Sequence, residues 1–276
     1  MKKVLSVVMA LVAAVACMFA VTACGEKGSG TVNVRTKNIV VAYTDYQPMN
    51  YTENGELKGF DTELALMVFN SLGYEVQFKL IDWKNKYQEL SSGTVDCLWN
   101  GFTANTTDDD EVKRSDKVNF SYGYLKNTQC VIRKASAAKA DSLSSLSQKT
   151  VAVEEGSAGE DFVNTANGVN KKNCGSQMDA VREVKSGTAD YAIVDLLLAS
   201  SVAGKGDFSD LAFDELTDAE PELYAIGFRK DDAGAALRDK VNVMIEAFAK
   251  TGQYKELSEK YGIDKAMIDG DFPTID

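Results

Sequence analysis

Short apolar segments alternate with amphipathic segments along most of this chain, and turn residues separate them. The apolar segments predict strands at 38–43, 75–81, 95–99, 149–153 and 191–195. Amphipathic segments of helical period lie between the strands. The first is predicted to be capped by Asp61, to run over 62–72 and to place Leu64, Val68 and Leu72 on one face, and a later one is predicted over 177–186 and ends at Gly187. Strands that alternate with helices predict parallel sheets covered by helices, which is an α/β fold.

The alternation occurs in two blocks that are joined by two apolar segments. Residues 124–134 leave the first block and enter the second, and residues 223–228 lead back to the first. This order predicts a two-lobed body that the chain crosses twice. Lobe 1 is expected to comprise residues 36–126 plus 222–276, and lobe 2 residues 127–221.

The N-terminal residues 1–23 have the pattern of a secretory signal peptide. Lys2 and Lys3 precede an almost entirely apolar run, which ends in small residues immediately before Cys24. The run is about long enough to span a bilayer, so a transmembrane anchor is the alternative. No basic stop-transfer residues stand directly behind the run, which favours cleavage. Residues 24–35 are then predicted to form a flexible tether.

Charge narrows the class of function. The chain carries 30 basic and 41 acidic residues, a formal net charge of −11. The first 23 residues contain two lysines and no acidic residue, so their removal takes the net charge to −13. Such an acidic surface argues against nucleic-acid binding and against electrostatic attachment to anionic lipid.

Histidine and cysteine usage narrows the class further. The chain contains no histidine, which excludes Ser-His-Asp and Cys-His catalysis and removes the commonest metal ligand. Cys97, Cys130 and Cys174 lie beyond the predicted signal and have no close spacing. Unpaired thiols are therefore favoured over a disulfide. We predict neither a metal site nor a cofactor.

Several short motifs stand in an order that is found in one known family. They are NGELKGFD at 54–61, GTVD at 93–96, NGFT at 100–103, NFS at 119–121, VAVEEGS at 151–157, ADYAIVD at 189–195, GQY at 252–254 and KYG at 260–262. Together they resemble the extracellular solute-binding proteins of family 3, which bind polar amino acids. The resemblance covers residues 36–262 and implies a type II periplasmic-binding-protein fold, with two α/β lobes and two hinge-crossing strands.

The resemblance also implies a function. The chain would be exported, would bind a free amino acid, and would deliver it to an ABC permease by lobe closure, as a monomer and without catalysis. Cys24 resembles the lipobox cysteine of bacterial lipoproteins, and two acyl chains would hold the protein at the outer face of the cytoplasmic membrane. Two alternatives stay open. One is a cyclohexadienyl or arogenate dehydratase-like enzyme, with Glu154 or Glu155 as the acid, and the other is a ligand-sensing lipoprotein.

An amino acid is a zwitterion, and burying either of its charges unpaired is costly. Its site therefore needs a cation for the carboxylate, for which arginine is suited, and an anion for the ammonium. The resemblance places the anion at Asp195, at the carboxyl end of a predicted strand, where ligands dock in open α/β sheets. The alternative for Asp195 is an N-cap of the following helix.

The arginine is harder to place, because the sequence departs from the family here. Counting forward from Thr103 leads to Asp108, whereas counting back from Phe120 leads to Arg114. We interpret residues 104–113 as a loop insertion ahead of a retained arginine, since surface loops tolerate insertions.

Several alternatives accompany this placement. Arg114 could be a solvated surface residue instead, and Arg133 and Arg182 are weaker candidates for the carboxylate-binding arginine. The acidic run 108–111 is predicted to be a solvated loop, and a calcium site there is the less favoured alternative.

Further contacts to the ligand carboxylate are implied by the resemblance on both lobes. Asn100, Gly101 and Thr103 match lobe 1 positions, where Thr103 offers a hydroxyl and Gly101 lets a ligand approach the backbone. Ser157 and Ala158 open a lobe 2 helix, whose free N–H groups suit a carboxylate.

The walls of the cleft are expected to be aromatic. Tyr43, Tyr46 and Trp83 match the family's wall positions, and Phe102 is a weaker candidate. Ordinary core packing is the alternative for each of them. Glu154 matches a position in the side-chain pocket, where it would favour a ligand with extra donors. A salt-bridged or solvated strand end is the favoured alternative for Glu154.

Overall fold

The protein is described by a computed structural model over residues 37–268 and 270–276. The predicted signal peptide and tether, including Cys24, lie outside the described residues. Within that part of the chain, no helix combines the length and the apolar character needed to cross a bilayer.

Strands and helices alternate through the described chain, as the sequence predicts. The strands are β1 (Lys37–Tyr43), β2 (Tyr51–Glu53), β3 (Glu56–Lys58), β4 (Tyr74–Leu80), β5 (Cys97–Leu98), β6 (Asn119–Phe120), β7 (Leu125–Asn127), β8 (Gln129–Lys134), β9 (Thr150–Glu154), β10 (Asn170–Cys174), β11 (Tyr191–Asp195), β12 (Leu211–Glu215), β13 (Glu222–Tyr224) and β14 (Gly227–Phe228). The α-helices are α1 (Phe60–Ser71), α2 (Lys86–Ser91), α3 (Arg114–Lys117), α4 (Ala158–Asn164), α5 (Gln177–Ser186), α6 (Leu196–Val202), α7 (Asp232–Lys250) and α8 (Gln253–Lys260).

Ten of these strands form two five-stranded sheets, one for each block of the sequence, and β2 pairs with β3 in a separate hairpin. The first sheet has the order β4-β1-β5-β14-β6, with β1 parallel to β4 and β5 and with β14 antiparallel to its neighbours. The second sheet has the order β10-β9-β11-β8-β12, in which β8 is the antiparallel member. We call the first sheet with its helices lobe 1 and the second sheet with its helices lobe 2.

A short antiparallel ribbon carries the chain between the two sheets. Strand β7 pairs with β13, with Leu125 opposite Tyr224 and Asn127 opposite Glu222. The segments predicted as single crossing strands are therefore each split in two, because each strand changes its partner where it leaves one sheet for the other. The predicted lobe limits at 126/127 and 221/222 fall on this ribbon and stay predictions.

Helix α1 begins differently from the sequence expectation, and the difference affects the site. Asp61 was expected to cap the helix, but α1 begins at Phe60 with Gly59 as its N-cap. Gly59 has a φ of 127°, and a Cβ there would lie 2.1 Å from the carbonyl oxygen of Met49, so only glycine fits. The carboxylate of Asp61 is thereby free to accept hydrogen bonds from Gly101 N, at 2.8 Å, and from the hydroxyl of Tyr124.

Candidate functional site

The carboxyl end of β11 positions Asp195 at the junction of the lobes. Its side chain is buried and accepts hydrogen bonds from Gln129 Nε2, at 2.5 Å, and from Gln177 Nε2, at 2.6 Å. Asp195 is the N-cap residue of α6, but its side chain makes no capping hydrogen bond. The N-cap alternative is therefore confirmed for the position of Asp195, but the carboxylate does not cap the helix and turns toward the junction instead.

A chain of hydrogen bonds links Asp195 with lobe 1 through the ribbon. The same Gln129 Nε2 also donates to Glu222 Oε1 at 2.8 Å. The other carboxylate oxygen of Glu222 accepts from Asn127 Nδ2 at 2.5 Å and from Thr103 Oγ1 at 3.2 Å. Two buried carboxylates thus share one amide nitrogen, and the predicted site residues Asp195 and Thr103 are brought together.

Arg114 extends this network at its lobe 1 end. The residue begins α3, and its side chain is only 1% exposed, so the alternative of a solvated surface arginine is wrong. Nη1 donates to the carbonyl oxygen of Thr103 at 3.0 Å, and Nε donates to Asp108 Oδ1 at 2.7 Å. Nη2 donates to Asp161 Oδ2 on α4 of lobe 2, at 2.7 Å. Although burial opposes the charge, these two aspartates raise the pKa of Arg114.

The acidic run 108–111 is only partly the solvated loop that was expected. Asp108 is nearly buried, because it accepts hydrogen bonds from Arg114, Lys117 and the hydroxyl of Tyr87. Burial raises the pKa of Asp108, but the neighbouring cations outweigh it and hold the pKa at about 2. Asp110 is exposed and pairs with Lys117 at 2.8 Å. The acidic run therefore folds back on Arg114 and supplies it with a counter-ion.

Glu154 lies at the carboxyl end of β9 and is 3% exposed. Its Oε1 atom is buried without a hydrogen-bond partner among the described residues. No lysine or arginine of that part of the chain lies within 4 Å of a carboxylate oxygen of Glu154, Asp195 or Glu222. The favoured alternative for Glu154, a salt-bridged or solvated strand end, is therefore wrong, because the strand end is enclosed between the lobes.

Burial and the charge of Asp195 raise the pKa values at this end of the site. Burial first, and then the charge of Asp195, raises the pKa of Glu154 to about 8. The same two causes raise the pKa of Glu222 to about 7. Burial also raises the pKa of Asp195, against the hydrogen bonds from Gln177 and other donors. Because no described side chain neutralises these carboxylates, this end of the site holds protons near neutral pH and would ionise when a cation binds.

Two tyrosines enclose the acidic end. The hydroxyls of Tyr46 and Tyr224 lie 2.6 Å apart, and burial together with the charge of Asp195 raises the pKa of Tyr46. Gly101 has a φ of 57°, and a Cβ there would lie 2.7 Å from the ring of Tyr46 and 2.9 Å from that of Tyr224. The space beside Gly101 is thus filled by two rings, which gives a different reason for the glycine from the ligand approach that was expected.

Trp83 and Phe102 pack in lobe 1 beside a buried lysine. Trp83 contacts Phe102 edge to face, with ring centroids 5.1 Å apart. Lys86 Nζ lies over the rings of Trp83 and Tyr87 and donates to the carbonyl oxygen of Gly156 in lobe 2 at 2.8 Å. Burial lowers the pKa of Lys86 to about 8.

Four predicted residues stand apart from this network. Tyr43 is partly exposed at the end of β1 and packs on Phe78 of β4. Asn100 uses its amide within lobe 1, where it hydrogen-bonds to Thr44 and Asn50. Ser157 and Ala158 lie at the start of α4 in lobe 2. The hydroxyl of Ser157 accepts from Glu160 N as a helix cap, and Ala158 lines a cavity.

The weaker arginine candidates lie elsewhere. Arg133 pairs with Asp214 within lobe 2, with Nε 2.6 Å from the carboxylate. Arg182 is 52% exposed and pairs with Asp179 and Asp45. Of the three arginines considered, Arg114 is therefore the one that joins the network of Asp195.

A cavity of about 410 Å³ lies next to this network, between α4 and the ribbon. Its lining includes Thr103, Gln129, Ala158, Asp161 and Glu222. Gln129 Oε1 is buried without a hydrogen-bond partner among the described residues. The arrangement offers unused acceptors and negative charge to a solute with several N–H donors.

The prediction missed several residues of the network. Gln129 lies in one segment predicted to cross between the lobes and Glu222 directly precedes the other, so their position beside the cleft was available from the sequence. Gln177, Lys86 and Asp161 carried no comparable signal, because each is one polar residue on a helix of ordinary amphipathic pattern.

Two α/β lobes, joined by a two-stranded ribbon and lined with opposite charges at their junction, define a binding protein that closes around a charged solute. The model of the family "Bacterial extracellular solute-binding proteins, family 3" matches residues 39–264. The chain belongs to this family, and the family predicted from the motifs is confirmed.

Three relatives illustrate the similarity. The arginine-binding extracellular protein ArtP of Bacillus subtilis (strain 168) is 30% identical over 256 residues, which cover 91% of this chain and 96% of ArtP. An ancestral arginine-binding protein bound to arginine superposes with a TM-score of 0.73 at 29% identity, covering 81% of this chain and 97% of that one. A substrate-binding protein of an ABC uptake transporter from Streptococcus pneumoniae, with bound histidine, has a TM-score of 0.73 at 29% identity. The superposition covers 83% of this chain and 94% of that one.

These similarities confirm the predicted type II periplasmic-binding-protein fold. They bear out the predicted class of function, which is extracellular binding of an amino acid for an ABC transporter. The family is one of transport proteins rather than enzymes, and the dehydratase alternative is not favoured. Export is likewise a property of the family.

Proposed function

We propose that this protein binds an amino acid with a cationic side chain between its lobes and delivers it to an ABC permease. The observation that carries the proposal is the set of buried carboxylates, Glu154, Asp195 and Glu222, which have no cation within 4 Å among the described residues. One α-ammonium group neutralises one of these charges. A second cation, on the ligand side chain, pairs with another of these carboxylates and favours its ionised form, whereas without a cation burial favours the protonated form.

The residues divide between the two ends of the ligand. In this proposal Arg114 binds the α-carboxylate and Asp195 accepts from the α-ammonium. Glu154 accepts from the side-chain cation through Oε1, while Tyr46 and Trp83 enclose the aliphatic part. The arginine named for the Bacillus subtilis relative and for the ancestral protein, and the histidine bound to the Streptococcus pneumoniae protein, support this choice of ligand class.

The remaining predicted contacts play lesser parts in the proposal. The lobe 1 wall is shaped by Asn100, Gly101 and Phe102. Thr103 positions Arg114, because its carbonyl oxygen accepts a hydrogen bond from Nη1. Tyr43, Ser157 and Ala158 are proposed only to border the ligand, since their described contacts lie outside the charged network.

Titration calorimetry of the mature chain against the common amino acids and cystine tests this assignment. We expect arginine, lysine and ornithine to bind with dissociation constants at or below about 10 μM, and neutral amino acids of similar length to bind more weakly. Absence of heat across the whole panel would contradict amino-acid binding. Equal affinity for cationic and neutral members would contradict the side-chain assignment.

We further propose that closure bends the β7–β13 ribbon and that the protein acts as a monomer. The predicted lobes, 36–126 plus 222–276 and 127–221, then move as two bodies about that ribbon. Small-angle X-ray scattering with and without arginine measures this directly. A monomer whose radius of gyration falls on ligand addition agrees with the proposal, and a dimer or an unchanged radius contradicts it.

The lipid anchor is also a proposal, supported by the apolar run and small residues before Cys24. Lipid attachment would hold the protein close to its permease and raise the effective concentration for docking. Mass spectrometry of detergent-extracted protein should find an acylated Cys24 as the first residue. A chain that still begins at Met1, or an unmodified Cys24, would contradict it.

A further inference from the structure

Arg114 already has a protein partner for each nitrogen of its guanidinium. Nε bonds to Asp108 at 2.7 Å, Nη1 to Thr103 O at 3.0 Å and Nη2 to Asp161 at 2.7 Å. Thr103 and Asp108 precede Arg114 in lobe 1, whereas Asp161 reaches it from α4 of lobe 2. The contact from the opposite lobe is therefore a carboxylate, which is also the group that an amino acid presents to such an arginine.

The geometry of a guanidinium makes this contact a competing one. An arginine binds a carboxylate with two parallel hydrogen bonds through one of two edges, Nε with Nη2 or Nη1 with Nη2. Each edge includes one N–H group of Nη2, and Asp161 accepts from one of these two groups. A ligand carboxylate that binds with two bonds therefore either takes the N–H group that Asp161 uses or lies directly beside the carboxylate of Asp161.

The charges favour displacement of Asp161 by the ligand carboxylate. Arg114 lies between two carboxylates, so a third one beside it would meet uncompensated repulsion in a poorly hydrated site. Burial already raises the pKa of Asp161 to about 6 despite its contact with Arg114. Exchange of Asp161 for the ligand carboxylate keeps the number of charges constant.

Asp161 has room to leave. Its side chain is 15% exposed, and it lines the 410 Å³ cavity beside Ala158 and Glu222. It also lines a second cavity of similar size, beside Lys86 and Lys117. A change of side-chain rotamer therefore moves the carboxylate away from Arg114 toward solvent and other cations, with no movement of α4.

We propose that Asp161 is an affinity-determining residue that competes with the ligand for Arg114 and holds the two lobes together through that ion pair. The proposal rests on the proposed role of Arg114 as the carboxylate-binding residue. Ligand binding then costs the breaking of an internal ion pair, so Asp161 weakens affinity. Without ligand the ion pair raises the population of the closed form, but to a lower level than bound ligand does.

The test compares two ion pairs that cross between the lobes. Asp161→Asn removes the charge beside Arg114 at nearly constant volume, and Asp161→Ala removes the acceptor as well. Glu155→Gln is the matched control, since Glu155 of lobe 2 pairs with Lys84 of lobe 1 at 3.1 Å, on the exposed rim. All variants are first shown to unfold cooperatively near the wild-type temperature.

Calorimetry with L-arginine gives the first readout. We expect both Asp161 variants to bind about tenfold more tightly or better, and Glu155→Gln to stay within about twofold of wild type. Unchanged or weaker binding in the Asp161 variants would overturn the proposal, because a residue that only supports the fold or contacts the ligand ammonium cannot improve affinity when removed.

Small-angle scattering of the ligand-free proteins gives a second readout that needs no ligand. The radius of gyration should increase in Asp161→Asn and stay unchanged in Glu155→Gln. If no amino acid binds to the wild-type protein, the proposed function fails. Scattering alone then tests whether the ion pair links the two lobes. Expansion of Asp161→Asn then supports the ion pair as a link between the lobes, and an unchanged radius refutes it.

Discussion

The two charged ends of the cleft are built in opposite ways. At the basic end, every guanidinium nitrogen of Arg114 is paired with a protein acceptor, and two of those acceptors are carboxylates. At the acidic end, Glu154 and Asp195 face one another's charge, and Glu154 Oε1 has no partner among the described residues. The basic end therefore contributes to the stability of the protein itself, whereas the acidic end lowers it and is arranged to receive a cation.

Replacement of Arg114 tests the basic end, whose hydrogen bonds are satisfied within the protein, and should have the largest effect on stability and binding. Arg114→Ala leaves Asp108 and Asp161 without their buried partner, which typically costs about 3–5 kcal/mol. We expect a large fall in the thermal unfolding temperature together with loss of detectable amino-acid binding. Arg182→Ala, at an exposed ion pair, is the control and should change neither. Retained binding in Arg114→Ala would contradict the proposed role.

The equivalent change at the acidic end should separate binding from stability. Asp195→Asn removes one of three buried carboxylates and keeps one acceptor oxygen for the amide of Gln177, while Gln129 can turn its unpaired Oε1 toward the new amide nitrogen. We expect affinity for arginine to fall by about 100-fold or more, while the unfolding temperature stays the same or rises. A variant that binds normally, or that is strongly destabilised, would remove the contrast between the ends.

The ionisation of Glu154 can be tested separately, through the effect of Glu154→Gln on the pH dependence of stability. Its pKa in the folded protein is about 8, against 4.5 ordinarily, so folding favours the protonated form. The contribution of this group is fully present below pH 4.5 and is lost as the pH rises toward 8. Glu154→Gln, which cannot ionise, should therefore gain stability over ligand-free wild type as the pH rises through this window, by an amount on the order of a few kcal/mol.

Denaturant unfolding at pH 5 and pH 8.5 measures this difference. Glu155→Gln serves as the comparison, because Glu155 is exposed and pairs with Lys84 at the surface. Its stability should stay within about 0.5 kcal/mol of wild type at both values, the smallest effect of the set. An equal response of the two glutamine variants to pH would show that burial of Glu154 has no energetic consequence.

Much of the fold was predictable because local signals agreed with the tertiary structure. Helix α5 was predicted with its observed limits, since Ser176 caps its first turn and Gly187 ends it in a left-handed conformation. The two predicted blocks of alternating strands and helices correspond to the two five-stranded sheets of the structure. The split of each crossing strand was not predicted, because periodicity does not record where a strand changes partner.

The site was predictable only in part, for a related reason. Asp195 and Arg114 could be located by motif order and spacing, and both lie in the network. Asp108 was expected in solvent, because a run of acidic residues normally is solvated, yet Arg114, Lys117 and Tyr87 enclose it. Contacts between side chains from different lobes, such as Asp161 with Arg114, depend on the closure of the cleft and have no local signature.

The central claim is that the cleft requires a ligand with two cationic groups. L-Arginine and L-citrulline have nearly the same shape, but the citrulline side chain is neutral, so their affinities measured side by side by calorimetry test this most directly. We predict that arginine binds at least about tenfold more tightly and that Glu154→Gln removes most of this preference. Equal binding of the two amino acids, or tighter binding of citrulline, would contradict the account.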